Sequence, residues 1–516
     1  MLERIAVAGA AQSQPAGKAL PSLLPADLLS AEAHIAAALQ CDPFSVLLEA
    51  STSVRAKLAA ARCVNSPATV VAQRVHSLRT MTDLSERLRP LRGKWVAQLP
   101  PKSHAAGINF PLIKMLISSL EYEDRKLVDE LFYGMPIVGH VEASGVITER
   151  ERSASSSVEN WRKSIPARNL ADVERVKRTR GSDEADACWV KTLKEINQGW
   201  LTVPTPISVE AMKTTPLTPR YALPEARANG AKYRLIDDFR ASGVNDIVSC
   251  EDTDVPRAID TCLPLAVLYE RICPGIQLYA FAVDFAHAYK HVPLLRIQGE
   301  FATAILLPPE GEPVMAQLRT QPFGPRRPPA NWGRATAFAR WSLEKVFGIF
   351  LATYVDDCLS IDPIETVHSA YDTITQWAAL LGLELDADKG RKPTCEIDLL
   401  GARISFRPGR VDASPPPVPK REELARGLKQ LRPSGVLGPA AAAKMRGRLG
   451  YFQTLVFGRA GRAHLQPFTE RQYSARATAQ TVLSPSLKEA IPWWIAMVES
   501  SQRRQVSTAK QMPVVL

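Results

Sequence analysis

The residues that stand out chemically are Tyr354-Val355-Asp356-Asp357, set between the apolar runs IFLA and CLSI. Two adjacent carboxylates at one tip repel each other by about 1–4 kcal/mol at 4 Å, for effective dielectrics between water and a protein surface. A divalent cation that neutralises the pair is the ready explanation; an ordinary Asp-rich turn is the plain alternative. Asp284 ends a second apolar run, LYAFAVD, and is followed by FAHAYKHVPL. A strand delivering one Asp beside a hairpin delivering two supplies oxygen ligands for two Mg²⁺ ions roughly 4 Å apart. One ion would acidify an attacking hydroxyl, and the other would hold a triphosphate and its leaving pyrophosphate. In-line phosphoryl transfer needs mainly that positioning and charge neutralisation.

The elements that must hold these residues are legible around them. YRLIDDFR and LYAFAVDF are short β-rich runs, and IFLATYVDDCLSID reads as two apolar strands meeting at a tight acidic tip. FATAILL and VMAQLRT flank the turn PPEGEP as a hairpin, and IDLLGARISF with GRVDAS forms another. NWGRATAFARWSLEKVF is a helix by length and periodicity. In ETVHSAYDTITQWAALLGLEL, residues Val367, Ala370, Tyr371, Ile374, Ala378 and Leu381 share one helical face. The order predicts an α+β fold, a sheet with helices on one face.

Outside this centre the pattern is weaker. Residues 1 to about 115 are Ala-rich with weak helical periodicity, and Phe110 to Val146 predicts one helix followed by a Gly-broken turn. From Glu149 to about Asp183 the chain is charged and serine-rich, a solvated helix or a linker. SPPPVPK at 414–420 is a proline break and a domain boundary. Beyond it, KREELARGLKQL and AAAKMRGRLGYFQTLV read as basic helices.

Composition bounds the function. The 516 residues suggest three or so domains. With 46% apolar and 23% charged residues, wholesale disorder, collagen and coiled coil are excluded. A net charge of +11 and a pI near 9.2 favour a polyanionic partner such as nucleic acid. Cysteines at 41, 63, 188, 250, 262, 273, 358 and 395 show no C-x-x-C spacing, which points away from a zinc ribbon or a disulfide framework and towards a reducing compartment. No run approaches the roughly 18–20 apolar residues of a membrane span, so no membrane partner is expected. The start, MLERIAVAGAAQS, has an acidic n-region and reads as an unstructured beginning rather than a signal peptide. The chain is therefore expected inside the cell, cytoplasmic or nuclear, and not secreted. His287 and His291 have H-x-x-x-H spacing but no adjacent Glu, so a zinc-protease centre is disfavoured.

AVDFAHAY, then QPFG followed by NWGR, then YVDD, in that order, resemble the palm motifs of reverse transcriptases. The resemblance runs from about Trp189 to Tyr473, somewhat over half of the chain. It implies a right-hand polymerase with fingers at 185–280, palm at 281–412 and thumb at 413–480. The region 1–184 would be a partly helical extension with a charged linker, and 481–516 a connection ending before any ribonuclease H domain. It implies a primer on an RNA or DNA template, dNTPs, and two Mg²⁺ ions, with Mn²⁺ as an alternative.

Residue by residue, Asp284 resembles the first metal-binding aspartate, with the carbonyl of Phe285 as a backbone ligand; Asp356 and Asp357 resemble the later pair. Tyr289, five residues after Asp284, matches the bulky gate that clashes with a ribose 2′-hydroxyl. Arg234 in KYRLIDDFR sits where the family places a triphosphate-binding arginine, and its planar fork suits phosphate oxygens. Phe323 and Gly324 of QPFG resemble the segment beneath the nascent base pair, where glycine permits close backbone approach. Lys389, twelve residues before Gly401, has the spacing of a lysine proposed to protonate pyrophosphate, with Lys392 as competitor. Lys444, Arg446 and Arg448 resemble the basic face of a thumb helix, which binds duplex phosphates in a salt-dependent way; a solvated basic helix is the alternative.

Two departures stand out. QPFG is followed by Pro325, Arg326, Arg327, Pro328 and Pro329, where many relatives have small or apolar residues and a serine, although Trp332 and Arg334 keep the family's aromatic-x-Arg spacing. The closing Gln511-Met512-Pro513-Val514-Val515-Leu516 resembles the strand that opens a ribonuclease H domain in polyproteins. The IDDFR, QPFG and PWW pattern is most similar to retroelements that carry a tyrosine recombinase. The rival readings are a catalytically inactive, retroelement-derived nucleic-acid-binding protein and an RNA-templated RNA polymerase. Tyr289, and a D-D tip preceded by Tyr-Val rather than Gly, weigh against the latter.

Overall fold

A computed structural model describes residues 66–227, 230–254, 265–266, 269–270, 273–414, 418–456, 461–474, 481–500 and 504–507. The chain opens with helices α1 (Pro67–Val96), α2 (Phe110–Ser119) and α3 (Leu127–Tyr133), then strands β1 (Gly139–Val141) and β2 (Thr148–Arg152). Helices α4 (Val158–Lys177) and α5 (Asp183–Asn197) lead to β3 (Thr205–Pro206), α6 (Val209–Thr214), the hairpin β4 (Leu217–Arg227) and β5 (Gly230–Asp237), and β6 (Val248–Thr253). The centre comprises β7 (Leu278–Asp284), β8 (Thr303–Leu306), β9 (Val314–Gln317), α7 (Pro328–Ser342), β10 (Ala352–Tyr354), β11 (Asp357–Pro363) and α8 (Val367–Leu381). Strands β12 (Arg391–Thr394), β13 (Glu396–Leu399), β14 (Ala402–Arg407) and β15 (Arg410–Ser414) follow. Helices α9 (Val418–Ser434), α10 (Pro439–Val456), α11 (Arg462–Gln472) and α12 (Pro485–Glu499) precede β16 (Arg504–Ser507).

The result is a mixed α/β protein with a helical N-terminal region. Its central sheet has the order β10-β11-β7-β12 and is antiparallel throughout. Strands β13-β14-β15-β16 form a second antiparallel sheet, and β3-β9-β8-β4-β5 a third in which only β4 and β8 run parallel. The expected hairpin of β8 and β9, the two strands around YVDD and the helix over Val367–Leu381 are all present. Strand β7 is buried along nearly its whole length, as a central strand covered on both faces must be.

The helical N-terminal region shares a core with this sheet. One hydrophobic cluster runs from Leu112, Leu127 and Met135 through Phe281 and Trp332 to Trp377. Along α1, Arg74, Leu78, Met81 and Leu88 lie three, four or seven residues apart, the spacing of one helical stripe. Its polar end is specific: buried Arg74 pairs with Asp362 at 2.6 Å and donates to the Thr366 carbonyl at 3.0 Å. Asn109 caps α2 by accepting from the Leu112 amide at 3.4 Å, and its amide group donates to Ser85 and to the Leu380 carbonyl. Helix α8 ends at Gly382, whose φ of 79° and close approach both demand glycine; an added Cβ would lie 1.9 Å from the Gly107 carbonyl oxygen.

Two expectations are corrected. Phe110 to Val146 is not one helix but α2 and α3, broken at Glu121, which adopts φ 57°. The intervening turn aims Asp124 at Arg334. The charged stretch 149–183 is β2 and a docked helix rather than a solvated one: Trp161, Ile165, Val173 and Val176 on α4 are buried, and the Trp161 indole N–H donates to the Ser242 carbonyl at 3.1 Å. The expectations for the Ala-rich start before residue 66, the proline break at 415–417 and the closing Gln511–Leu516 lie outside the described residues. Among the described residues, Cys188, Cys250, Cys273, Cys358 and Cys395 are free thiols, and no helix is long and apolar enough to cross a membrane.

Candidate active site

Strands β10 and β11 pair so that Tyr354 lies opposite Asp357, leaving Val355 and Asp356 as a two-residue loop. Only the first of these has positive φ, 60° at Val355, the pattern of a II′-type hairpin turn whose usual first residue is glycine. A β-branched residue held there costs about 1–3 kcal/mol, so the surroundings must enforce it. They do: the Trp332 indole N–H, from α7, donates to the Val355 carbonyl at 2.7 Å, and the Phe285 amide donates to the Asp356 carbonyl at 3.2 Å. Asp357 stands directly opposite Asp284 in the β11–β7 register. The next turn of chain is fixed as well, since the Asp386 amide donates to the Asp284 carbonyl at 2.8 Å and the Ala286 amide to the Glu384 carbonyl at 2.9 Å.

Like charges directly opposite each other on paired strands are unfavourable, and here Asp284 is buried and Asp357 partly so. Burial, then the charges of Asp356 and Asp284, push the Asp357 carboxyl up to about 6; a hydrogen bond to Asp284 that only the protonated acid can donate adds to this. Burial also raises the Asp284 carboxyl, although Lys389 opposes the shift. The Lys389 ammonium lies 2.6 Å from Asp284 and 3.4 Å from Asp386. Burial alone would lower the Lys389 pKa, but the hydrogen bond to Asp284 and the surrounding carboxylates raise it. Lys389 rather than Lys392 is thus the lysine at the carboxylates, and it serves there as a counterion.

Three carboxylates with nearby backbone carbonyls are the hard oxygen donors that Mg²⁺ and Mn²⁺ prefer, and a carboxyl raised to about 6 marks charge that a cation would relieve. The donor chemistry fits the expected ions. Among the described residues, no three His, Cys, Asp or Glu side chains converge as a ready-made metal cage; Lys389 supplies positive charge beside Asp284. The Asp357 shift also has a sign for stability. Its contribution is fully present below the ordinary unfolded value near 3.9 and is lost as pH rises through about 6, where the folded protein takes on the opposed charge.

The segment after Asp284 turns into a short 3₁₀ helix, Ala288–His291, that buries Tyr289. Its ring lies 4.8 Å from that of Phe323, which is half exposed. Gly324, at φ 125°, makes the expected close approach, but to the protein's own backbone: a Cβ there would sit 2.0 Å from the Asp237 carbonyl oxygen at the end of β5. Asp237 is itself buried and gripped by Arg220 through two hydrogen bonds, at 2.7 and 3.0 Å. Arg220 also pairs with Glu195 at 2.7 Å, and Glu195 with Lys290 at 3.4 Å. A buried ionic chain therefore joins the base of the β4–β5 hairpin to the neighbour of Tyr289.

The remaining expected residues stand further out. Arg234 is exposed on β5, its fork held by Glu225 of β4 at 3.0 and 3.1 Å rather than by any of the three aspartates. On α10, Lys444 and Arg448 are exposed one turn apart, but Arg446 is turned to α11, where it donates to Gln472 at 3.2 Å. The basic trio therefore does not share one face, because residues two apart on a helix diverge. His287 and His291 form no metal pair: the buried His291 ring hydrogen-bonds the Ala286 carbonyl at 2.9 Å, and burial pushes it down to about 4. The Pro-Arg-rich departure after QPFG is structural, with buried Arg327 paired to Asp252 and bonded to Asn331 at 3.0 Å.

Trp332, Asp386 and Tyr451 carried no assigned role in the sequence. Asp386 was findable, three residues before Lys389 in LDADKG. Tyr451 donates its hydroxyl to the Leu400 carbonyl and is pushed up to about 12 by burial and by the charges of Tyr354 and Asp357, so α10 lies close to the acidic tip.

No protein-family model and no curated protein matches this chain. Among solved structures it is similar to a foamy viral protease-reverse transcriptase in complex with double-stranded DNA. The identity is 12% and the TM-score 0.40, over 69% of this chain and 62% of that one. A likeness at that level decides neither fold nor activity.

Proposed function

We propose that the chain is an RNA-directed DNA polymerase of retroelement origin, acting inside the cell and extending a primer on an RNA or DNA template with dNTPs. The observation that carries this reading is the facing of Asp284 and Asp357 across paired strands, with Asp356 in the two-residue loop beside them. In this reading residues 185–280 are fingers, 281–412 palm, 413–480 thumb and 481–516 a connection. The IDDFR, QPFG and PWW pattern supports a relation to elements carrying a tyrosine recombinase.

Asp284, Asp356 and Asp357, with the Phe285 carbonyl, would hold two Mg²⁺ ions. Bound there, such ions would acidify a 3′-hydroxyl and neutralise charge on the triphosphate. The chain's own residues do the rest. Lys389 leaves its counterion role beside Asp284 and turns to the pyrophosphate. Tyr289, backed by Phe323, closes the space a 2′-hydroxyl would need. Arg234 exchanges Glu225 for the triphosphate, and Lys444 and Arg448 take duplex phosphates while Arg446 stays on α11.

Primer extension on a defined RNA template, comparing dNTPs with rNTPs in Mg²⁺, tests this directly. Extension with dNTPs only, absent in the Asp356→Ala, Asp357→Ala double variant, is the expected result. Tyr289→Ala should admit rNTPs while dNTP extension persists. Salt-sensitive primer–template binding without extension would instead favour the non-catalytic nucleic-acid-binding reading.

Cation binding has its own signature without substrate. Mg²⁺ or Mn²⁺ should raise the melting temperature at pH 8, each tenfold excess over Kd adding about 1.4 kcal/mol. The rise should shrink as pH falls through about 6, where Asp357 protonates and a cation must displace that proton. A shift independent of pH over that range would place the ions elsewhere.

A further inference from the structure

A separate cavity of about 660 Å³ opens between the loop after α1, the end of α3 and the two segments that follow Tyr289 and β9. None of its lining residues is Asp or Glu, and none belongs to the carboxylate centre. Lys102, Arg296 and Arg319 line it with exposed residues, and none of these three side chains has a hydrogen-bond or ion-pair partner among the described residues. Thr320 also lines it. Its residue is only 3% exposed, and its hydroxyl is buried without a hydrogen-bond partner. A buried hydroxyl with no partner is costly unless something supplies one.

The mouth is built rather than incidental. Lys102 adopts φ 58°, and its carbonyl packs so tightly on the turn at Gly199 that a Cβ there would lie 2.7 Å away. Tyr133 on the opposite rim is 66% exposed, its ring set edge-on to Phe132 at 4.9 Å. An exposed aromatic beside unpaired cations suits a base joined to phosphates, since stacking is indifferent to base identity and guanidinium forks match phosphate oxygens. The volume lies within the range of small-molecule sites.

We propose that this cavity binds a nucleoside polyphosphate independently of the carboxylate centre. Arg296, Arg319 and Lys102 engage the phosphates, the Thr320 hydroxyl donates to a phosphate oxygen, and Tyr133 stacks on the base. No covalent step is involved, and no divalent cation is needed.

The test is calorimetric titration of the full chain with ATP in EDTA, which removes cation-assisted binding at the aspartates. Saturable one-to-one binding is expected, weakened at least tenfold in Arg296→Ala, Arg319→Ala. Both side chains are exposed, so the melting temperature of that variant should stay near that of the parent. Tyr133→Ala should weaken ATP but not tripolyphosphate, whereas Thr320→Val should weaken both. The Asp356→Ala, Asp357→Ala variant should bind ATP as the parent does, which separates this site from the polymerase reading. Absence of saturation below millimolar ATP, or equal affinity in the arginine variant, would overturn the proposal. Tripolyphosphate binding as tightly as ATP with Tyr133→Ala silent would remove the nucleoside. A dT12 oligonucleotide that binds through Arg296 and Arg319 while ATP does not would make the cavity part of a nucleic-acid path instead.

Discussion

Asp284→Asn should abolish primer extension, by on the order of a thousandfold or more, while the protein stays folded. Asparagine is nearly isosteric, so strand β7 and its register with β11 are kept. What is lost is one of the charges that oppose each other at the tip. Because burial and the surrounding carboxylates hold Asp284 and Asp357 above their ordinary range, removing one charge relieves repulsion in the cation-free protein. The melting temperature at pH 8 should therefore hold or rise, and the increment given by Mg²⁺ should fall away. Lys389 loses its partner without penalty because it is half exposed and water replaces the carboxylate. A variant that is inactive but unfolded would be uninformative about the centre, so activity and melting are read on the same sample. Near-parental extension by a folded Asp284→Asn protein would remove Asp284 from the reaction.

Arg334→Ala should destabilise the fold by about 3–5 kcal/mol. The guanidinium is almost wholly buried, holding both oxygens of Asp124 at 2.7 and 3.0 Å and also pairing with Glu130. Truncation leaves the buried Asp124 carboxylate with no counterion, and that desolvated charge, rather than the lost attraction, sets the cost. Urea denaturation reads it as a fall in midpoint at unchanged slope. Arg334→Lys should lie between, because an ammonium keeps the charge but cannot match both oxygens. A loss below about 1 kcal/mol would mean that water reaches the pair.

The centre of the fold was legible in the sequence because short-range signals agree there. LYAFAVD, YVDD and the stripe from Val367 to Leu381 each specify a period and an end, and the structure has β7, the β10–β11 hairpin and α8. The helix over Val158–Lys177 was misjudged for its charge, although Trp161, Ile165, Val173 and Val176 form a stripe at helical spacing. The break at Glu121 could not be foreseen, since a partner 210 residues away, Arg334, is what gives Asp124 its place. Long-range pairing explains the site's surprises as well. Arg327 stands in the sequence only as a departure from the pattern after QPFG, and its pairing with Asp252 is what buries it. Gly324 reads as room for a base pair, and the Asp237 carbonyl takes that room. Sequence spacing shows which groups could act together; it does not show which cations are already engaged.

The hydrophobic cluster that unites Leu112, Leu127 and Met135 with Phe281, Trp332 and Trp377 bears on modularity. The stretch that carries the recognisable motifs begins near Trp189, but that stretch is not a separable module. Excision at that point would strip the cover from β7 and α7, strand the Arg334 guanidinium without its acids, and leave an apolar surface to self-associate. Any recombination event or expression fragment that keeps the motifs must also keep the helices from residue 67 onward. The three aspartates can therefore be inherited only together with a segment that contains none of them.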